Sequence, residues 1–176
     1  SESCFIIEGE KTCLECIHTL AQELIAIVCL SDYENLIPHS LHHIAYSASK
    51  KELERLSKMK SPNKIIVVID KPKTVLFDSN KKSLILDHIQ DPGNLGTIIR
   101  TADWFGINQV VCSPACADIY NSKALQASMG SFLRVKIFYT ELIPFIENHQ
   151  FKITGAFLDG KPLRHEVLKT SNALML

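Results

Sequence analysis

The sequence lacks the features that define several large classes of protein. No apolar run approaches the roughly 20 residues that a membrane-spanning helix needs. The first residues, SESCFIIEGEK, do not place a basic region ahead of a long apolar stretch, as a secretory signal does. Net charge is absent as well, because 19 basic side chains balance 19 acidic ones, which argues against binding nucleic acid by bulk charge. With 46% hydrophobic residues, we expect a globular, cytoplasmic protein.

Well-known catalytic and nucleotide-binding motifs are missing too. Neither G-x-G-x-x-G nor G-x-x-x-x-G-K-[ST] occurs, since Gly93 and Gly96 supply only G-x-x-G. A serine nucleophile of the G-x-S-x-G type is excluded in the same way. The G-x-x-G loop of a KH RNA-binding module joins two helices, whereas this one follows an Ile/Leu-rich strand, so that interpretation is disfavoured.

Six cysteines are present, and with no export signal we expect them to be reduced. Cys13 and Cys16 form a C-x-x-C, yet they continue at helical spacing into Ile17, Leu20 and Leu24. That pattern is one apolar helix face, on which cysteine acts as a small core residue. A second pair, Cys112 and Cys116, has no adjacent histidine that could complete a metal site. We therefore expect no metal.

Apolar runs alternate with helical patterns along the whole chain, which predicts α/β structure with largely parallel sheets. The predicted strands are Cys4–Ile7, Ile25–Leu30, His43–Tyr46, Ile65–Asp70, Leu84–Ile89, Gln109–Cys112, Val135–Tyr139, Lys152–Phe157 and Ala173–Leu176. The predicted helices are Glu10–Glu23, Asp32–Leu36, Lys50–Met59, Asn94–Phe105, Ser122–Ser128 and Glu141–Asn148. A polar stretch, residues 71–82, divides two domains of about 75 and 95 residues.

Charge is concentrated near the end of the first domain. Between Lys50 and Lys73 there are eight basic and three acidic residues, a local net charge of +5. Two interpretations remain open: a solvated helix face, or a phosphate-binding patch. The patch would comprise Lys50, Lys51, Arg55, Lys58, Lys60 and Lys64.

The most informative segment is Asp87–Gly106, which reads as a strand end, a polar loop and a helix. Pro92-Gly93 predicts a turn, and Gly96 lets another chain or a ligand approach the backbone closely. Ligands of open α/β sheets bind beyond the carboxyl ends of the strands, where this loop lies. Asn94 and Arg100 are therefore candidate binding residues, with Arg100 about one turn into the helix and suited to a phosphate.

Other residues of this segment receive structural interpretations. We expect Trp104 and Phe105 to pack in the core rather than stack on bases, because aromatic side chains dominate cores. Asp91 precedes a proline and is expected to organise the turn. His88 receives no catalytic role.

Three stretches together resemble one known family. LILDHIQDPGNLGTIIRTADWFG is similar to the first signature of the SpoU (TrmH-type) ribose methyltransferases of the SPOUT superfamily. SKALQASMGSFLRVKIF resembles that family's segment with a Ser-x-Gly core ahead of a strand. CFIIEGEKTCLECI and LSKMKSPNKIIVVIDKP resemble the small substrate-binding domain that precedes the catalytic domain in many members.

The resemblance implies an enzyme that transfers methyl from S-adenosylmethionine to a ribose 2′-hydroxyl of structured RNA, with ribosomal RNA favoured over transfer RNA. Asn94 and Arg100 match its catalytic positions, and Thr154, Gly155 and Ala156 match the start of its donor contacts. It implies a homodimer, a small α/β RNA-binding domain at residues 1–73, a linker at 74–82 and a Rossmann-like, parallel-sheet methyltransferase domain at 83–176.

The resemblance stops at Leu176, because family members continue with a loop and a final signature that tie a C-terminal knot and hold most of the donor. We therefore expect the second domain to be incomplete at its C-terminus and this chain to be inactive alone. The alternatives are a non-catalytic RNA-binding protein that keeps the fold, and a small-molecule α/β enzyme with a coincidental loop. Salt-dependent RNA binding would distinguish the second alternative.

Overall fold

The computed structural model describes residues 3–57, 59, 63–72, 76–157, 159–160, 162 and 171–176. The chain divides into two compact units, residues 1–74 and 75–176. We call them the small unit and the large unit. Within the described residues, no helix is both long and apolar enough to cross a membrane.

The small unit consists of a four-stranded sheet with short helices. Its strands are β1 (Cys4–Glu8), β2 (Leu24–Cys29), β3 (Ala45–Ser47) and β4 (Ile65–Asp70). Its α-helices are α1 (Glu10–Thr19) and α2 (Lys50–Leu56), and two 3₁₀ helices span Ser31–Leu36 and His39–Ile44. The second 3₁₀ helix occupies the start of the predicted strand His43–Tyr46, so that strand begins two residues later than predicted.

Helix α1 confirms the core interpretation of the C-x-x-C. Cys13, Cys16 and Ile17 are its buried residues, and the Cys13 thiol donates to the carbonyl of Ile7. Burial raises the pKa of Cys16 to about 12, so its thiol stays protonated at neutral pH. The helix ends at Thr19, four residues before the predicted Glu23.

The prediction of a largely parallel sheet is wrong for the small unit. The strand order is β1-β4-β2-β3, and β4 runs antiparallel to both β1 and β2, whereas β2 and β3 are parallel. The reason lies in α2, which has only seven residues and whose C-cap Ser57 donates to Glu8 at the carboxyl end of β1. Because α2 ends at this edge and β4 begins there, with Ile66 opposite Glu8, β4 runs antiparallel to β1.

The start of α2 follows its sequence signal closely. The Glu52 backbone N–H donates to Ser49 Oγ at 3.4 Å, and the Ser49 backbone N–H donates to the Glu52 carboxylate at 2.8 Å. This reciprocal pair is the predicted capping box. These bonds hold the pKa of Glu52 below its ordinary value.

The large unit contains a five-stranded parallel sheet in the order β7-β6-β5-β9-β8. The strands are β5 (Ser83–Leu86), β6 (Gln109–Cys112), β7 (Lys136–Tyr139), β8 (Ile153–Gly155) and β9 (Ala173–Met175). The helices are α3 (Pro92–Trp104), α4 (Ser122–Ser128) and α5 (Leu142–His149), with a 3₁₀ turn at Ser131–Leu133. Strand β5 ends three residues before the predicted Ile89.

The sheet of the large unit is covered on both faces. Leu84 and Leu86 of β5 pack with Leu95 and Ile99 of α3 in one core cluster. Ile85 of β5 faces the other way, into a cluster with Leu142 of α5 and the ring of Phe77. All residues of β5 and β6 are buried, as expected for central strands of a parallel sheet. The predicted α/β class and Rossmann-like parallel sheet are confirmed for this unit.

Candidate functional site

The polar loop enters α3 through a capped helix start rather than a turn. Asp91 is the N-cap and its carboxylate accepts from the Asn94 backbone N–H at 2.8 Å, so the residue expected to organise a turn organises the start of a helix instead. Pro92 is the first helical residue, where its missing N–H costs nothing. The predicted Pro92-Gly93 turn is therefore wrong. Lys123 of α4 donates to Asp91 at 2.6 Å, and this bond holds the pKa of Asp91 below its ordinary value.

Gly96 is the position at which α3 touches α4. A Cβ on Gly96 would meet the backbone carbonyl oxygen of Ala124 and would lie 2.7 Å from the Cβ of Ala127 and 2.9 Å from the backbone nitrogen of Ser128. The close approach that the sequence predicted is thus made by another helix of the same chain. It also explains why two distant stretches of family resemblance occur together, since the first signature and the Ser128 segment pack directly against each other.

Asn94 and Arg100 lie on the exposed face of α3, opposite the buried residues Leu95, Ile99 and Ala102. Six residues separate the two, which at 1.5 Å per residue is about 9 Å along the helix. Because α3 begins at Pro92, Arg100 lies more than two turns into the helix, rather than one as predicted. Within the described part of the chain, the Arg100 guanidinium makes no hydrogen bond or ion pair.

The exposed face of α3 continues into an open groove of about 480 Å³. Its lining residues are Thr97, Arg100, Thr101, Trp104 and Phe105. Trp104 is 86% exposed and Phe105 is 74% exposed, so the prediction that they pack in the core is wrong. The physical reason is helical spacing: Trp104 follows Arg100 by four residues and Thr97 by seven, which places all three on the face opposite the core.

The far end of α3 is fixed by a charged pair. Arg134, which precedes β7, donates to the Asp103 carboxylate through Nε at 2.9 Å and Nη2 at 2.8 Å. The guanidinium lowers the pKa of Asp103. Together with the Gly96 contact, this fork holds α3 at its middle and at its C-terminal end.

The loop between β5 and α3 contains a feature that sequence reasoning missed. His88 has a φ of 55°, a left-handed conformation that is uncommon outside glycine. Its Nδ1 lies 2.7 Å from Asp87 Oδ1, and its backbone N–H donates to Ser113 Oγ at 3.1 Å. The Ser113 hydroxyl and His88 lower the pKa of Asp87. The adjacency of Asp87 and His88 was visible in the sequence, but the backbone conformation that orients them was not.

The predicted donor-binding residues end an edge strand. Thr154 and Gly155 close β8, and Ala156 follows it, beside the carboxyl end of β9. Thr154 Oγ1 is hydrogen-bonded to Ser171, and the Ala156 N–H donates to the Met175 carbonyl. A Cβ on Gly155 would collide with the ring of Phe157, which is 75% exposed. Sequence reasoning did not single out this ring.

The basic residues of the small unit gather at one edge of its sheet. Lys50 and Lys51 begin α2, Arg55 lies in its last turn, and all three are exposed. Lys64, at the start of β4 on the same edge, lies 4.0 Å from Glu10 and 5.3 Å from the ring centre of Tyr33. These two groups, Tyr33 above all, raise the pKa of Lys64. Lys58 and Lys60 lie outside the described residues.

The cysteine pair of the large unit is buried beside the loop. Burial, and then the neighbouring Cys116, raise the pKa of Cys112. Cys116 Sγ accepts from the Ile89 N–H and donates to the Leu86 carbonyl, so it ties the loop to the strand end. The part of the chain that the structure describes contains no group of three or more His, Cys, Asp or Glu side chains able to hold a metal ion.

Known proteins agree with this architecture. Residues 81–176 match the SpoU rRNA Methylase family. The chain is 30% identical over 163 residues to the 23S rRNA (guanosine(2553)-2′-O)-methyltransferase RlmP of Bacillus subtilis, an alignment that covers 92% of this chain and 63% of that protein. An RNA methyltransferase structure of the TrmH family from Porphyromonas gingivalis superposes with a TM-score of 0.78 at 29% identity, covering 99% of this chain and 72% of that one.

A structure of AdoMet-bound rRNA methyltransferase from Sinorhizobium meliloti has the same fold, with a TM-score of 0.76 at 18% identity, covering 99% of this chain and 78% of that one. The matched segment includes α3, its preceding loop and the strand ends described above, so fold and sequence agree on one assignment. The chain belongs to the SpoU rRNA methylase family, and the resemblance drawn from the sequence is confirmed. It spans 63% of the length of RlmP.

Proposed function

We propose that this protein takes part in transferring a methyl group from S-adenosylmethionine to a ribose 2′-hydroxyl of structured RNA, with ribosomal RNA as the substrate. The observation that carries the proposal is the exposed guanidinium of Arg100 on α3, within the family signature and on the helix that follows the carboxyl end of β5. RlmP, at 30% identity over most of this chain, is named as a 2′-O-methyltransferase of 23S rRNA.

Arg100 suits the part of a phosphate clamp. A guanidinium stays charged at any working pH and presents several donors in a planar fork, but it cannot accept a proton. Asn94 adds an amide donor and acceptor close to the loop, about 9 Å from Arg100 along the helix axis and about 120° from it around the axis. The two residues would therefore bind and orient the RNA backbone on either side of the reacting ribose.

The methyl donor would bind at the carboxyl end of β8. S-adenosylmethionine supplies a methyl group on a positively charged sulfur, a good electrophile. Thr154 and Ala156 already use a hydroxyl and an N–H within the chain, but β8 is the edge strand of the described sheet, so its outer backbone groups have no strand partner among the described residues. Phe157 offers an exposed ring on which an adenine can stack. The residues present thus fit the group at this place.

RNA would also contact the small unit. Because α2 lies along one edge of the sheet, Lys50, Lys51 and Arg55 are presented together, and among the described residues no acidic side chain is as close to any of them as Glu10 is to Lys64. Counterion release by such cations is the general source of affinity for nucleic acid. The zero net charge of the chain is compatible with this role, because the positive charge is local.

A homodimer is part of the same proposal. The groove on α3 presents Trp104 and Phe105 to solvent next to Arg100, and large aromatic side chains that are exposed together are typical of protein interfaces. A Trp104→Lys substitution should shift the chain toward monomer in analytical ultracentrifugation. A Tyr46→Lys substitution, at an exposed tyrosine of the small unit, should not. Unchanged sedimentation of the Trp104 variant would contradict this part of the proposal.

The direct test is methyl transfer from labelled donor to ribosomal and transfer RNA by the full gene-encoded chain. Alkaline hydrolysis, which a 2′-O-methyl group blocks, then locates the product. Incorporation into ribosomal RNA at a ribose 2′-oxygen supports the proposal. Salt-dependent RNA binding without any transfer would replace it with a non-catalytic RNA-binding role. A chain with neither activity would remove RNA from its function altogether.

A further inference from the structure

The loop after β5 contains two titratable side chains with a defined geometry that the proposed function does not use. His88 is 68% exposed at its side chain, and its imidazole Nδ1 lies 2.7 Å from Asp87 Oδ1. In the described part of the large unit, the other histidine is His149, whose Nδ1 is hydrogen-bonded to the Phe145 carbonyl within a cluster of phenylalanine rings. His88, two residues after the end of β5, is therefore the described histidine that lies at the carboxyl edge of this sheet.

The hydrogen bonds assign the tautomer of His88. The Ser113 hydroxyl and His88 itself keep the pKa of Asp87 low, so the carboxylate is ionised and can only accept. Nδ1 must then carry the hydrogen, and Nε2 of the neutral ring is left with its lone pair. This arrangement, a carboxylate that orients an imidazole through Nδ1, is the one in which histidine acts as a general base.

The backbone around His88 is held in place by residues far along the chain. Ser113 Oγ accepts from the His88 N–H, and Cys116 Sγ accepts from the Ile89 N–H. The Ala117 N–H donates to the Ile89 carbonyl at 2.9 Å. These bonds impose the φ of 55° on a residue with a side chain, and strain of this kind concentrates where a side chain must point in a particular direction.

The proposed reaction needs a proton acceptor that the other site residues cannot provide. A guanidinium and a carboxamide are not bases at neutral pH, so neither Arg100 nor Asn94 can take the hydroxyl proton. Asp91 is occupied by Lys123 and by the Asn94 N–H. Among the described residues, Asp87 is the charged group that contacts the imidazole of His88.

We propose that His88, oriented by Asp87, accepts the proton that the ribose 2′-hydroxyl loses during methyl transfer; this inference rests on the proposed function. The 2′-oxygen forms its bond to the methyl carbon as the carbon–sulfur bond of the sulfonium breaks, and the electron pair of that bond stays on sulfur. The hydroxyl proton passes to Nε2 of His88. The resulting imidazolium is stabilised by the Asp87 carboxylate and returns its proton to water after product leaves.

The test compares His88→Asn and His88→Gly with the unmodified gene-encoded chain. Asparagine tolerates the left-handed conformation and keeps a polar side chain, but it is not a base. We expect kcat on ribosomal RNA to fall about 100-fold or more with little change in KM, in line with loss of a general base. We also expect His88→Asn to change the pH profile of kcat, which a purely structural role of the side chain would leave unaltered.

His88→Gly separates catalysis from structure. Glycine adopts a φ of 55° without strain, so the melting temperature should stay the same or rise while kcat falls. A purely structural role for His88 would move both in the same direction. Gln150→Gly is the matched control, because Gln150 has a φ of 51° at the C-cap of α5 and is exposed. It should change the melting temperature similarly and leave kcat alone.

Imidazole ¹⁵N NMR gives a readout independent of turnover. The neutral ring of His88 should carry its hydrogen on Nδ1, and Asp87→Asn should abolish that preference. The inference is overturned if His88→Asn keeps kcat within about threefold of the unmodified protein with the same pH dependence. The same holds if Nδ1 is not the protonated nitrogen. If the unmodified protein transfers no methyl to RNA, the proposed function fails first, and this inference fails with it.

Discussion

The two units carry different chemistry at one edge of the sheet, which is the edge where β1 and β2 end in the small unit and the edge where the parallel strands end in the large unit. In the small unit, α2 lies along that edge and exposes Lys50, Lys51 and Arg55 on a helix that is held by its own capping box. In the large unit, the carboxyl edge carries a hydrogen-bonded network of Asp87, His88 and Ser113, in which His88 Nδ1 lies 2.7 Å from Asp87 Oδ1 and the His88 N–H donates to Ser113 Oγ at 3.1 Å. The first edge can attract an anion from any direction, whereas the second can act only on a group placed in one position. On the proposed function, the edge of the small unit contributes affinity for RNA and the edge of the large unit contributes the chemistry of the reaction.

The largest effect should come from substitution of Arg100 on α3 of the large unit. Arg100→Lys keeps the charge but removes the planar fork, so we expect kcat on substrate RNA to fall about 100-fold. Lys136→Arg, a matched exchange on the edge strand β7, should leave kcat unchanged. Near-normal turnover of Arg100→Lys by the full gene-encoded chain would contradict the clamp role.

A comparable effect, on stability rather than rate, is expected at Gly96. An alanine there must displace the α4 backbone, so we expect Gly96→Ala to lower the free energy of unfolding by about 1–3 kcal/mol despite the better helix propensity of alanine. Thr97→Ala, on the exposed face one residue further, is the control and should change stability by less than about 0.5 kcal/mol. Denaturant titration measures both. Equal stabilities would mean that α3 and α4 do not pack as described.

We expect the exposed basic residues of α2, unlike those of the large unit, to determine how strongly RNA affinity depends on salt. Replacing Lys50, Lys51 and Arg55 together by glutamine should reduce the slope of log affinity against log salt by about 2–3, with kcat little changed. Replacing Lys81, Lys136 and Lys152 of the large unit is the matched control of equal charge. If both triple variants lose the same slope, the small unit does not provide a specific RNA-binding edge.

The smallest expected effect concerns the pair Asp91 and Lys123. Asp91→Asn keeps an N-cap for α3 and removes only the ion pair, so the loss of stability should be small. The pKa of Asp91 is lowered in the folded state, so its contribution is present above the ordinary carboxyl pKa and is lost as the pH falls through the lowered value. The stability difference between the two proteins, followed by thermal unfolding, should vanish in acid. A difference that persists there would point to a cause other than charge.

Much of the fold was predictable because its signals are local. Runs of Ile and Val place β4, and Ser49 with Glu52 places the start of α2. The direction of β4 was not predictable, because it depends on where α2 ends, and the contact of Ser57 with Glu8 joins residues 49 positions apart. Strand alternation alone therefore predicted parallel neighbours where the sheet is mixed.

The candidate site divides in the same way. Asn94 and Arg100 could be identified because a long continuous signature contains them, and Asp91 because a cap is a local device. The exposure of Trp104 was missed because aromatic side chains are commonly buried. Whether a residue of α3 is buried depends instead on its position around the helix axis. The conformation of His88 depends on Ser113, 25 residues away, and no local pattern reports it.

The two attachments of α3 have a mechanical consequence. The helix packs against α4 at Gly96, and the guanidinium of Arg134 binds the Asp103 carboxylate near its C-terminal end. We therefore expect the distance between Asn94 and Arg100 to stay constant. A ligand that touches both ends must match that length, because the helix cannot bend to meet it. Because this spacing is fixed, we expect a flexible RNA strand, rather than the protein, to change conformation on binding.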